Sequence, residues 1–152
     1  MKTDIDIIDH VYEIVMNCTE LFEDKAEVTT GLYSTNVTRH KRNPSSKTED
    51  IVISVLSNDD PSEVQEAYVN VNVYVNDIKV SLPNGDTTGR VEHYVDDSIR
   101  LRALCSLCSK LFALNIGSTY RITLASQRVI ADEESKQHFI NNRLLFQQIN
   151  ID

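Results

Sequence analysis

The stretch Cys105-Ser-Leu-Cys108 has the two-residue spacing of a redox pair or of half a zinc site. A reactive thiol of that kind opens a helix after a strand, where the helix dipole lowers its pKa. These cysteines lie instead in the middle of an apolar-periodic run, on the stripe that faces a core. The sequence holds no second pair to complete a zinc site, and Cys18 adds little. The expectation is buried thiols that act as small hydrophobes. The histidines His10, His40, His93 and His138 lack the i, i+4 spacing of a helical metal motif, so surface or capping positions are expected. The acidic runs "EDKAE" and "DEESKQ" read as solvated turns rather than acid/base pairs, which need a cleft and unlike environments. With only Gly31, Gly85, Gly89 and Gly117 available, there is no glycine loop to cradle phosphate. No residue is therefore assigned a catalytic, cofactor-binding or metal-ligating role, and the expectation is a protein that is not an enzyme.

Two stretches point to surfaces instead. Residues Asn36 to Asp50, "NVTRHKRNPSSKTED", are almost free of apolar side chains and carry Arg39, Lys41, Arg42 and Lys47, four of the 15 Lys and Arg in the chain. This is predicted to be a mobile loop able to touch phosphate or an acidic protein, against the plainer reading of a solvated loop tip. The second stretch is "YVNVNVYVN", Tyr68 to Asn76. Strand geometry sends Val69, Val71, Val73 and Val75 to one side, and Tyr68, Asn70, Asn72, Tyr74 and Asn76 to the other. Asparagine is depleted in strands because its side chain competes for the backbone, so its repetition asks what the polar face meets. Asn70, Asn72, Tyr74 and Asn76 form a candidate seam between subunits; the alternatives are a face that meets water or one that lines a passage for DNA.

The elements that would position these residues follow from periodicity. "TDIDIIDHVYEIV" places Ile5, Ile8, Tyr12 and Val15 at helical spacing, and Thr3 with Asp6 resembles a capping box. "TTGLYST" is a short strand candidate that Gly31 weakens or bulges. "DIVISVL" and the long strand from Val64 to Asn76 follow, separated by the polar turn "SNDDPSE". "NDIKVSLPNGDTTGRVEHYVDD" is a long connection with a small hairpin at "PNGD". Asp96 or Asp97 then caps a second helix, "SIRLRALCSLCSKLFALNIG", whose apolar stripe clamps the sheet. "TYRITLASQRVIA", with a bulge near Ser126, and "HFINNRLLFQQIN" complete the chain. The predicted fold is α+β, a single domain over residues 1–152: a mostly antiparallel sheet of four to five strands packed against two helices, in the order α-β-β-β-α-β-β.

At 152 residues the chain is long enough for one core without staples. Its formal charge of −8 disfavours general adhesion to nucleic acid or anionic lipid. No apolar run approaches the ~20 residues of a spanning helix, and the acidic N-terminal residues do not read as a targeting signal, so a product that stays in the cytoplasm is expected.

Taken together, the opening helix "DIIDHVYEIV", the "GLYS" segment, "EDIVISVLSNDDPSEVQEAYVNVNVYVND", and "DSIRLRALCSLCSKLF" with the paired strands ending "HFINNRLLFQQI" resemble the tail-terminator or tail-completion proteins of long-tailed bacteriophages and prophages. What matches is order, spacing and texture over most of the chain. The resemblance implies a non-enzymatic virion structural protein, assembled in the bacterial host cytoplasm. It implies a homo-oligomeric ring, often hexameric, that caps the tail tube and joins it to the head. Tail-tube and head-completion proteins would be its partners, DNA would pass passively through the ring, and no membrane or cofactor would be involved. The long Asn36 to Asp50 loop departs from that pattern. Two alternatives stand beside this reading: a phage head-completion or neck adaptor protein, and a cytoplasmic protein-binding module unrelated to phage.

Overall fold

Val69, Val71, Val73 and Val75 of the long strand point inward, and the rest of the molecule is arranged around that choice. The computed structural model describes residues 2–26, 30–59, 64–83, 85 and 89–149. Among them the chain forms α1 (Asp4–Asn17), a 3-10 turn (Thr19–Leu21), α2 (Glu23–Ala26), a second 3-10 turn (Ser34–Asn36), β1 (Val37–Arg39) and β2 (Ile51–Asp59). It continues through β3 (Val64–Asn76), β4 (Ile78–Pro83), β5 (Arg90–Val95), α3 (Ser98–Phe112), β6 (Asn115–Ile116), β7 (Tyr120–Asp132) and β8 (Gln137–Ile149). Six strands build one sheet in the order β1-β2-β3-β8-β7-β6, and β4 pairs with β5 as a separate two-stranded unit. Every strand pair is antiparallel except β1 with β2. The fold is a mixed α+β one.

β3 and β8 are each 13 residues long and pair from Val64↔Ile149 to Asn76↔Gln137 without a break in register. Val69, Val71, Val73 and Val75 are buried with Ile140, Leu144 and Phe146 of β8 and Ile122 of β7. α1 closes this face at β2 through Ile7, Ile8, Val11 and Val15; α3 closes it at β7 and β8 through Leu101, Leu104, Cys108 and Phe112. Each such side chain contributes about 1.5–3 kcal/mol on burial. α1 starts where the sequence says it should: Thr3 accepts from the Asp6 backbone N–H, and the Asp6 carboxylate accepts from the Thr3 N–H, a complete capping box. Those bonds to Thr3 hold the Asp6 carboxyl below its ordinary range. α3 is capped by Asp97, which accepts from the Arg100 N–H. The bulge expected near Ser126 lies between Leu124 and Ser126.

Three expectations need correction. The strand count rises from four or five to six in the main sheet plus two outside it, and α2 is a third, one-turn helix. "TTGLYST" forms no strand among its described residues: Gly31 turns at φ +80° and Ser34–Asn36 make a 3-10 turn, so the strand falls at Val37–Arg39, inside the expected loop. A Cβ at Gly31 would collide with the Arg100 guanidinium, which donates to the Thr30 carbonyl there. The connection after β3 does hold a hairpin, but one of two six-residue strands that takes up most of it, where the sequence predicts a long connection with only a small hairpin. Residues 84 and 86 of "PNGD", the two that follow it, and 60–63 of the expected "SNDDPSE" turn lie outside the described residues.

Phe146 is fully buried in the core and stacks with Tyr120 at 5.9 Å. Phe146→Ala is expected to lower unfolding free energy by about 3–5 kcal/mol in urea titrations. Ile116→Ala, at an exposed site, should change it by no more than about 0.5 kcal/mol.

Candidate functional site

Both long helices lie on the valine side, which leaves the other face of the sheet without one. Register assigns its rows. Arg128, Asn141 and Asn72 lie abreast across β7, β8 and β3, followed by Ser126, Arg143, Asn70 and Ser54. Next come Thr123, Leu145 and Tyr68, then Arg121, Gln147 and Glu66. Asn141 ties the asparagines together: its amide N–H group donates to Asn72 Oδ1 at 2.7 Å and to Asn70 Oδ1 at 3.2 Å. The repeated asparagines thus form a cross-strand amide ladder, half-buried by its neighbours.

Arg121, Arg128 and Arg143 are exposed on the same face, and none of their side chains makes an ion pair with a described residue. Arg128 and Arg143 are diagonal neighbours on adjacent strands. Like charges about 7–8 Å apart repel by about 0.5 kcal/mol in water, so this pairing is tolerated rather than stabilising. The middle rows hold no carboxylate. These arginines are the residues that sequence reasoning missed; only the β7–β8 register puts them beside the asparagines.

The other two candidates on β3 belong to the sheet's upper end. Tyr74 stacks on Phe139 at 4.9 Å and carries the Arg42 guanidinium on its ring at 3.6 Å. Burial pushes the Tyr74 phenol up, and Arg42 opposes that shift. Asn76 accepts from Gln137 Nε2 at 2.8 Å, while its backbone N–H donates to Glu49. Asn70 and Asn72 therefore belong to the open middle of the face, whereas Tyr74 and Asn76 are engaged by the 40–50 segment.

The longer stretch from Asn36 to Asp50 divides its four cations. Arg42 donates to Asp50 at 3.0 Å, to the Thr48 carbonyl and to Gln137 Oε1, and its side chain is only 14% exposed. Arg39 pairs with Asp9 of α1 at 3.0 Å and lies over the Tyr12 ring. Lys41 and Lys47 remain exposed. Glu49 receives a two-pronged ion pair from Arg100, at 2.8 and 3.0 Å, which fastens the segment to the start of α3. The segment is thus anchored at both ends by charge-assisted bonds.

The hairpin β4–β5 stands apart from the core. Opposite residues share a face, so Ile78 with Val95, Val80 with His93, and Leu82 with Val91 make one largely apolar side. Ile78, Leu82 and Val95 are each more than 40% exposed there. The opposite side carries the Lys79–Glu92 pair and Arg90 bonded to Ser81. At the root, the Asp77 carboxylate meets His138 Nδ1 at 2.6 Å, and Lys136 lies over the Tyr94 ring at 5.2 Å. The recess between arm and sheet also holds Glu92, His93 and Glu133.

Cys108 is buried, and burial pushes its thiol up to about 12 despite the Asn142 side chain beside it. Cys105 and Cys18 are raised in the same direction by partial burial. The two cysteines of the "CSLC" run thus form no activated pair. Among the described residues no group of three or more His, Cys, Asp or Glu is placed to hold a metal ion. With a folded pKa above the ordinary ~8.5 of an unfolded cysteine, Cys108 favours the fold below that pH, and the contribution is lost as pH rises toward about 12. At pH 8, native protein should leave Cys108 unmodified by a thiol reagent, while protein in denaturant should be modified there, as read by peptide mass. Arg42→Ala should destabilise by about 3 kcal/mol because it removes the cationic partner of the buried Asp50 carboxylate, whereas Lys41→Ala and Lys47→Ala should each stay within about 0.5 kcal/mol in the same urea titration. In comparisons with known proteins, no family model matches the chain and no curated protein sequence matches it.

Proposed function

We propose that the chain is a non-enzymatic structural subunit of a phage or prophage virion that assembles into a ring, caps the tail tube and joins it to the head. The sequence resemblance supplies the biological setting. The observation that carries the reading is the bare apolar side of the β4–β5 arm. A lone two-stranded hairpin is marginally stable in water, and one that displays Ile78, Leu82 and Val95 to solvent gains most when another molecule covers it. Identical subunits arranged head to tail supply such a cover at every position when the rotation closes.

The open sheet face suits the same role. Its neutral amides donate and accept hydrogen bonds, so a seam can form there without matching every charge. A head-completion or neck adaptor uses the same kinds of surface and differs in which partner binds: head proteins rather than the tail tube. A cytoplasmic module unrelated to phage would stay monomeric.

Sedimentation velocity tests the reading. The expected species is a closed oligomer of the 17.3 kDa chain, formed alone or on adding tail-tube protein. Leu82→Asp with Val95→Asp should lower assembly by at least about tenfold while leaving the monomer's thermal midpoint within a few degrees, because both side chains are exposed. A wild-type chain that stays monomeric at high concentration and with tail-tube partners would refute the proposal.

A further inference from the structure

The two outer surfaces of this two-layer molecule differ in charge. On the sheet side, Arg128 and Arg143 are exposed among neutral amides and hydroxyls, with no carboxylate in the middle rows, and Arg121 is exposed one row beyond, in line with Gln147 and Glu66. On the helix side, residues 3–24 hold seven of the chain's 23 acidic side chains and no Lys or Arg. α1 buries Ile7, Ile8, Val11 and Val15, so Asp9 and Glu13 project from its far side, and Glu20 is exposed in the turn that follows. Arg39 and Lys2 offset only part of this charge. The other helix on that side, α3, presents Arg102 and Lys110 to solvent, which restricts the acidic surface to α1.

We infer that the arginine-bearing sheet face of one copy seats against the acidic α1 surface of the next copy. This rests on the proposed self-association and adds its orientation. A sheet face and a helix face on opposite sides of one chain cannot meet within that chain. They also cannot pair with their own kind across a two-fold axis, because arginine would face arginine and carboxylate would face carboxylate. Complementary charge on opposite sides selects a heterologous contact, and a heterologous contact repeated with closing rotation gives a ring. The acidic balance of the whole chain favours this occupant over nucleic acid, which the remaining surface repels.

The test uses the full chain. Arg128→Glu with Arg143→Glu reverses one surface; Asp9→Lys with Glu13→Lys reverses the other. Each pair alone should weaken self-association at least about tenfold in sedimentation velocity, and the fourfold variant should recover to within about threefold of wild type. Wild-type association should weaken between about 0.1 M and 1 M salt, as the screening length falls from about 10 Å to about 3 Å. Circular dichroism confirms that each variant is folded. If both reversed pairs assemble like wild type, the orientation is wrong while ring formation stands. If wild type never assembles, the self-association reading falls and takes this inference with it. If the Arg128/Arg143 variant keeps its oligomer but loses salt-sensitive binding of a fluorescent single-stranded oligonucleotide that wild type shows, the face serves nucleic acid and the inference is overturned.

Discussion

The 13-residue antiparallel pairing of β3 with β8 is the constraint on which the remaining structure depends. Side chains alternate with a period of two, so a single register fixes both faces of the sheet together. With Val71 facing inward beside Asn142, Asn72 must face outward beside Asn141. A slip of one residue would send four valines into water and bring three asparagines into the core. Each valine is worth about 1.5–3 kcal/mol buried, so the correct register is favoured by far more than any surface contact supplies. The helices then have only one face on which to close. Two of the inward polar residues are satisfied individually: Asn142 donates to the Val71 carbonyl and accepts from Gln127, and Gln65 exchanges bonds with the backbone of Lys2.

Elements specified by local pattern were legible in the sequence. The Thr3–Asp6 box, the Asp97 cap, the uninterrupted valine alternation and the break in parity between Leu124 and Val129 all carry their cause within a few residues. The misread elements depend on distant partners. "TTGLYST" has strand-forming residues, but Glu23 accepts from the Gly31 N–H and Tyr33 O–H, and Asp24 accepts from Ser34, so the segment is bound to α2 instead of to a strand. The polar 36–50 segment looked mobile because Arg42 and Glu49 find their partners 95 and 51 residues away in sequence. In the arm, His93 and the solvated far side blur the alternation that Ile78, Val80 and Leu82 would otherwise announce. The candidate surface was half legible for the same reason. One strand's parity exposed the asparagines, but the arginines enter only when three strands are laid side by side.

The 40–50 segment and the arm are linked through the upper end of the sheet. Gln137 accepts from Arg42 and donates to both the Thr48 carbonyl and Asn76. One residue further, His138 meets Asp77, the single residue between β3 and β4. Part of the segment's anchorage and the root of the arm therefore fall on two consecutive residues of β8. Charge-assisted bonds in a partly desolvated site are stronger than their surface counterparts, and they let a polar segment behave as part of the scaffold. The arm thus leaves the body at a fixed root even though its strands touch no core.

The asparagine ladder can be understood by asking what other residues would do there. Lysine at 70 and 72 would add two positive charges beside Arg128 and Arg143, and four like charges on adjacent strands would strain the sheet. Glutamate at the same positions would pair with those arginines inside the molecule and cancel the charge of the face. Neutral amides do neither. Asn141 satisfies Asn70 and Asn72 by hydrogen bonds, so the row needs no counter-ion, and the guanidinium groups keep their charge. An unusual residue choice for a strand is thereby reconciled with a sheet that keeps Arg128 and Arg143 uncompensated on one face of an otherwise acidic chain.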